Sequence, residues 1–463
     1  MEEKTVKRSE QLTFSKKNVY EKAAAARMAA IFAYAEGYKA FLDAAKTERE
    51  AVRRGIEMAE AAGFTAYELG DELKPGDCRY FNNRDKNLFL FRVGTDDLEK
   101  NGIRILAAHV DSPRLDLKQN PLYEDSGMGF FKTHYYGGIK KYQWTAIPLA
   151  LHGVVMLADG SVVDVVVGED ESDPVFYIND LLPHLASDQM SRPMATAIAG
   201  ESLNILVGGL PFADDSESER IKLNVLDILN TKYGITEEDF LSAELCAVPA
   251  FRARDIGFDR AFIGAYGHDD RVCAYPEITA ILECKSEHTV MSILADKEEI
   301  GSDGVSGMQN CLLVDVIDEI SRACGANPIV VRAHSLCLSA DVNAAYDPNF
   351  PEVYERRNSA MISCGTTMSK YTGSRGKGGT SDASAEFVGR VRRIFAEHGV
   401  IWQTSELGKI DAGGGGTVAK YIANMNIDTV DMGVPVISMH APYEVVSKAD
   451  VYSTYEAFVA FLA

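Results

Sequence analysis

The sequence predicts a mixed α/β fold: a central sheet covered by helices on both faces, interrupted by an inserted β-rich domain. Three observations predict it. From Asp269 onward, apolar runs of strand length alternate with segments of helical period, an order that buries a sheet between two helical layers. From Pro121 to about Pro249 the texture changes to short β-rich runs and tight turns. Residues suited to metal binding lie on both sides of that segment, with few inside it. The expected organisation is therefore one α/β domain split into 1–120 and 261–463, with 121–260 inserted as a β-rich unit for oligomerisation or for covering a site. At 463 residues the chain exceeds the size at which single cores usually stop growing, which also favours two domains.

In chain order, residues 19–62 are rich in Ala, Glu, Lys and Met, with Ile31, Tyr34, Tyr38 and Phe41 at helical spacing. Two or three helices fit there, with Gly55 inside the second and Gly63 at its C-terminal end. Residues 87–93 and 103–110 read as strands, the second apolar enough for a sheet interior. In the insertion, residues 153–157 and 162–167 flank Ala158-Asp159-Gly160 as a hairpin, with helical stretches expected near 179–187 and 219–233. After it come a helix over 271–282, a strand over 289–295, a helix around 311–324, a strand over 328–338, a helix over 383–398, a strand over 401–404, a helix over 417–423 and a strand over 431–439.

Composition narrows the function classes. The formal charge of -21 leaves no basic face to displace phosphate counterions, which argues against nucleic-acid and anionic-membrane partners. The amino terminus lacks a signal-type apolar region and no run reaches membrane-spanning length, so a cytoplasmic location is expected. The 8 cysteines are scattered without a CxxC pair and read as reduced core residues rather than metal ligands.

The sequence is organised around Ala295-Asp296-Lys297-Glu298-Glu299-Ile300-Gly301-Ser302, an apolar strand that stops in two adjacent glutamates. Open α/β sheets bind ligands beyond the carboxyl ends of their strands. Neighbouring side chains at such an end point in different directions, so one carboxylate can hold a metal while the other handles a proton. An isolated Glu-Glu pair is ordinarily an acidic loop; its company changes that reading. His109 and Asp111 end another strand, Asp269 precedes a helix, and Asp341 and His440 complete the set. Two imidazoles and several carboxylates without thiolates suit zinc or a similar divalent ion, and one bridging aspartate would let them fill a two-metal hydrolytic site.

Five motifs then carry a resemblance. His109-Val110-Asp111-Ser112-Pro113-Arg114, Gly267-His268-Asp269-Asp270-Arg271, Asp296-Lys297-Glu298-Glu299-Ile300-Gly301-Ser302, Ser339-Ala340-Asp341 with Pro348-Asn349, and Met439-His440-Ala441-Pro442-Tyr443-Glu444 resemble, in order and wording, the aspartyl aminopeptidase family of metallo-aminopeptidases. The resemblance runs over essentially the whole chain, Tyr136-Gly137-Gly138 included. It implies a zinc-exopeptidase type of sheet and two zinc ions per subunit, with cobalt or manganese as alternatives. By the same resemblance His109, Asp269 and Asp341 hold one ion, and Asp269, Glu299 and His440 the other. Asp111 would accept the second ring N–H of His109 and fix its tautomer, and Glu298 would be the general base. The substrates implied are peptides, cleaved at the amino-terminal residue. The assembly implied is a homo-oligomer, a tetrahedral dodecamer, in which His184 could reach a neighbouring subunit's site.

The sequence departs from the animal form of the family at Asn343-Ala344-Ala345-Tyr346-Asp347, where that form has a histidine, and at Ala441, where it has serine. These changes spare the ligands and bear on the pocket, hence on the residue preferred. For an acidic residue a cation is wanted, and Lys377, then Arg375, on the loop Ser374-Arg375-Gly376-Lys377-Gly378-Gly379 are the candidates. His268, before the bridging aspartate, is a further candidate to line the site, weighed against a structural role, which is favoured. The run Asp411 to Thr417, with four glycines, could be taken for a phosphate cradle; its place in the family resemblance implies close backbone approach to substrate instead, with a plain loop-to-helix turn as the alternative. Two other classes fit the same ligands: a di-metal carboxypeptidase or deacylase, and a non-catalytic cargo or binding protein, the latter disfavoured by the presence of Glu298 with all five ligands.

Overall fold

A computed structural model of the chain describes Arg8 and residues 12–463. Nine strands form the central sheet, in the order Thr65–Ala66, Cys78–Asn83, Asn87–Arg92, Val290–Ala295, Arg104–His109, Leu336–Ser339, Asp428–Gly433, Thr366–Ser369 and Trp402–Thr404. The four in the middle, Val290–Ala295 to Asp428–Gly433, run parallel, so their carboxyl ends point the same way. Strand alternation sends Leu88, Leu90, Leu106, Leu294 and Leu338 to one face and Phe89, Phe91, Ile105, Met291 and Ile293 to the other. The first face is covered by Ala25–Ala44, Glu48–Ala61, His268–Glu283, Ala385–His398 and Lys448–Leu462; the second by Leu312–Ala323, Pro328–His334 and Ala419–Ala423. Each fully buried Leu, Ile or Phe in these layers contributes about 1.5–3 kcal/mol. Thr47 starts the helix Glu48–Ala61 with a reciprocal cap: its hydroxyl accepts from Glu50 N while the Glu50 carboxylate accepts from Thr47 N.

A second sheet of seven antiparallel strands lies entirely between Arg114 and Pro249 and surrounds its own core of Leu115, Phe131, Trp144, Val155 and Leu245. Its first strand begins at Arg114, upstream of the boundary expected at residue 121. The expected hairpin is present, with Leu149–Met156 paired to Val162–Val167. A third sheet of five short strands, not anticipated, joins Arg254–Ile256, Phe262–Ala265, Glu444–Ser447, Pro435–Ile437 and Asn343–Ala344. None of the described helices is long and apolar enough to cross a membrane.

Three expectations need correction. Residues 328–338 are not one strand: Pro328–His334 is a helix, and only Leu336–Ser339 joins the sheet. Asn327 accepts from Ile329 N and Pro328 occupies the first turn, a helix start that outweighs the β preference of the Ile-Val-Val run. The strand expected over 431–439 is two, Asp428–Gly433 and Pro435–Ile437, in different sheets. The cysteines are free, but only Cys246, Cys273, Cys284 and Cys337 are buried, and Cys311 is exposed.

Candidate metal centre

The parallel strands deliver their chemistry to one end. His109 closes its strand, Glu298 and Glu299 follow Val290–Ala295 in a single tight turn, and Asp341 lies two residues beyond Ser339. Gly433 on the adjacent strand lets the Asp341 backbone come close, since a Cβ there would stand 1.7 Å from the Asp341 carbonyl oxygen. Asp269 sits where the start of helix His268–Glu283 departs from helical geometry, and His440 lies in the loop before Glu444–Ser447.

These side chains converge. His109 Nε2 stands 3.2 Å from Asp269 Oδ1, 3.9 Å from Asp341 Oδ1 and 4.0 Å from Glu298 Oε2. His440 Nε2 stands 3.1 Å from Asp269 Oδ2 and 3.4 Å from Glu299 Oε1. The two oxygens of Asp269 therefore address different imidazoles. Both Nδ1 atoms donate to backbone carbonyls, His109 to Asp111 at 3.0 Å and His440 to Gly138 at 2.7 Å, which turns each Nε2 towards the carboxylates. The Asp111 backbone carbonyl is the nearer acceptor, with the carboxylate Oδ1 at 3.3 Å from His109 Nδ1.

The Asp111 carboxylate has a further task. It accepts from Glu298 N and Glu299 N, both at 3.1 Å, and from the Tyr136 hydroxyl at 2.8 Å. Glu444, which sequence reasoning left without a role, does the same on the opposite side, accepting from Asp269 N at 3.1 Å and His440 N at 2.6 Å. Lys297 and His440 both have φ of 65°, a left-handed conformation that costs a residue with a side chain about 1–2 kcal/mol. The hydrogen bonds to Asp111 and Glu444 hold the turn and the loop that contain these two residues. Tyr136 and Glu444 stand in stretches that carry the resemblance, but no local pattern gives either a role, because each acts through contacts that only tertiary folding makes. Asp270 was also missed. It is buried, accepts from His109 N at 3.3 Å, and groups with His109 and Asp341 as a second possible metal-binding set.

The electrostatics are those of a site short of positive charge. Burial pushes Glu298 up to about 7 and raises Glu299 and Asp341 well above the usual carboxylate range. Burial opposes ionisation of Asp269 too, but the His109 and His440 imidazoles beside it hold its carboxyl below that range. Asp269 Oδ1 and Glu299 Oε1 are buried without a hydrogen-bond partner. Donors around a tetrahedral zinc with bonds of about 2 Å are separated by about 3.3 Å, close to the His109–Asp269, His440–Asp269 and His440–Glu299 separations. Orphaned oxygens, donor type and spacing all fit zinc.

The expected substrate-binding residues are placed elsewhere. His268 is fully buried behind the centre, with Nδ1 at 2.7 Å from the Tyr38 hydroxyl and Nε2 at 3.1 Å from the Ile263 carbonyl oxygen. Burial pushes it down to about 3, so it is a neutral core residue. Lys377 and Arg375 line a small neighbouring cavity, not the one that opens on the centre, and Lys377 is paired at 3.0 Å with Asp382. The cavity over the centre, about 410 Å³, is walled by Asp269, Glu298, Glu299, Asp341 and His440, and on its far side by Gly414 to Thr417 and Lys420. The four-glycine run does reach the site.

Parallel strand ends that bring two imidazoles and several carboxylates into one cleft define a metal-dependent hydrolase of the α/β exopeptidase type. The chain belongs to the M18 family of zinc metallo-aminopeptidases: residues 41–462 match the family model described as aminopeptidase I zinc metalloprotease (M18). It is 49% identical over 455 residues to a probable M18 family aminopeptidase 1 of Clostridium acetobutylicum, covering 96% of this chain and 98% of that protein. Among solved structures it is similar to an M18-family aminopeptidase of Thermotoga maritima, with a TM-score of 0.92 and 42% identity over 97% of this chain and 99% of the other. A more distant similarity, of fold alone, is to the S. cerevisiae mApe1 dodecamer, with a TM-score of 0.76 and 22% identity over 92% of this chain and 96% of that one.

Proposed function

We propose that this chain is a dinuclear zinc aminopeptidase releasing single residues, acidic ones preferred, from peptide amino termini. The observation that carries the reading is Asp269, whose two oxygens face different imidazoles, with Asp341 beside His109 and Glu299 beside His440. His109, Asp269 and Asp341 would hold one ion, and Asp269, Glu299 and His440 the other. When bound, zinc supplies Lewis acidity for the scissile carbonyl and lowers the pKa of water. Glu298, in the same cavity and not needed as a ligand, takes the proton of the attacking water and returns it to the leaving amine. Burial that raises its proton affinity towards 7 suits both halves of that transfer near neutral pH. Membership of the M18 aminopeptidase family supports aminopeptidase over carboxypeptidase action.

The second sheet, Arg114 to Pro249, is the proposed assembly unit of a homo-oligomer, a dodecamer in the manner of the mApe1 structure. Leu182, Leu185, Met190 and Met194 are exposed in one segment of it, an apolar surface that suits a subunit interface. Exposed His184 lies in the same segment. The free cysteines suit a reducing compartment, the cytoplasm.

The test is Glu298→Gln assayed with aminoacyl chromogenic amides in zinc, cobalt or manganese. The expected result is a loss of kcat of about 10²–10⁴ with zinc content unchanged. Turnover at the wild-type rate would remove Glu298 as the base.

A further inference from the structure

The cavity over the metal centre is lined by four acidic residues, Asp269, Glu298, Glu299 and Asp341, and, among the described residues, by one lysine, Lys420. The lysines of the neighbouring loop are already ion-paired: Lys370 and Lys377 share Asp382, at 2.7 and 3.0 Å. Lys420 differs. No carboxylate among the described residues lies within ion-pair distance of it, and its Nζ stands 4.6 Å from the centre of the Tyr421 ring. That contact holds an ammonium over an aromatic face and leaves its N–H donors uncommitted. The position is anchored. Val418 and Ile422, on either side, are buried in the core of the second face, and the Tyr421 hydroxyl donates to the Gly301 carbonyl oxygen at 3.2 Å, next to the turn that carries Glu298 and Glu299.

We infer that Lys420 is the carboxylate-binding, specificity-determining residue of this cavity. It deepens the peptidase reading and rests on it. With the wall carboxylates committed to the metal ions and to proton transfer, a substrate carboxylate needs a cationic partner elsewhere in the lining, and Lys420 is the lysine found there. Two substrate groups share that chemistry: the side chain of an amino-terminal Asp or Glu, and the terminal carboxylate of a dipeptide. One ammonium serves either, and the pairs of substrates below separate them.

The experiment uses the zinc-loaded protein and compares kcat/KM within two pairs, Asp-anilide against Leu-anilide, and Leu-Gly against Leu-Gly-amide. Wild type, Lys420→Met, Lys420→Gln and Lys377→Met are assayed. In both Lys420 variants the carboxylate member of one pair loses about tenfold or more, while its neutral partner stays within about twofold. The Asp/Leu pair responding identifies a side-chain site; the Leu-Gly pair responding identifies a terminal-carboxylate site. Lys377→Met leaves both ratios at the wild-type value. Unchanged ratios in both folded Lys420 variants, or an equal change in Lys377→Met, overturn the assignment while leaving the peptidase reading in place. If the wild type cleaves none of the four, the peptidase reading falls and this assignment with it.

Discussion

Two buried clusters in this molecule set histidine against carboxylates, and they close differently. In one, His152 stands between Glu50 and Glu169 at 2.7 and 3.0 Å, and Lys46 Nζ reaches Glu169 at 2.6 Å. Glu50 also accepts from the backbone of Lys46 and Thr47. Burial pushes both glutamates up, yet His152 beside each and Lys46 beside Glu169 hold them below the usual carboxylate range. In the other cluster, His109 and His440 face Asp269, Glu298, Glu299 and Asp341, burial wins at the last three, and two carboxylate oxygens have no partner. The first cluster balances its charge within the chain and fastens helix Glu48–Ala61 to the second sheet. The second carries more negative groups than the chain can pair. A buried acid–histidine cluster that closes is structural; one that leaves oxygens open is built to receive cations.

That contrast can be broken by substitution. The largest effect is expected at Asp269→Ala, which removes the shared ligand: zinc measured by plasma emission falls below that of the wild type, and aminopeptidase turnover falls to background. Retained zinc and turnover would mean that Asp270, not Asp269, supplies the ligand. Next comes Glu444→Gln, which leaves one acceptor for the two N–H groups of Asp269 and His440. Zinc affinity, read by chelator competition, is expected to weaken about 10–100-fold, with the fold's thermal transition little changed. Smallest at the active centre, and sharpest as a control, is His152→Leu. Zinc content and kcat should stay at wild-type values while denaturant unfolding shows a loss of about 3 kcal/mol. If His152→Leu instead lowers zinc content, the two clusters are not separable as argued here.

His109, Glu298, Glu299 and Asp269 were legible as candidates because local pattern marks their positions, the end of an apolar run for the first three and the start of a helix for Asp269; the division of ligands between two ions was only what the family resemblance implied. The α/β alternation and the inserted β-rich segment were legible for the same reason, since strand and helix periods are local. Pro328–His334 was misread because a valine-rich run looks like a strand until Asn327 and Pro328 are weighed as a helix start. The roles of Glu444 and Tyr136 were not legible, because a carboxylate or hydroxyl that braces another segment leaves no periodicity. Lys377 attracted attention as a cation on a glycine loop, and only the fold shows that Asp382 claims it while Lys420 faces the cavity. His268, next to a ligand in sequence, faces Tyr38 in the core.

The most direct test of a two-ion centre is a zinc titration of metal-free protein followed by calorimetry in buffers of different ionisation enthalpy. Although burial opposes it, Asp269 and Glu299 hold His440 up to about 10, so without metal this imidazole is protonated at neutral pH. Zinc must displace that proton, and binding should therefore tighten as pH rises and weaken as it falls. The account predicts two zinc equivalents per chain with net proton release. A single equivalent, or none, supporting full turnover would contradict it.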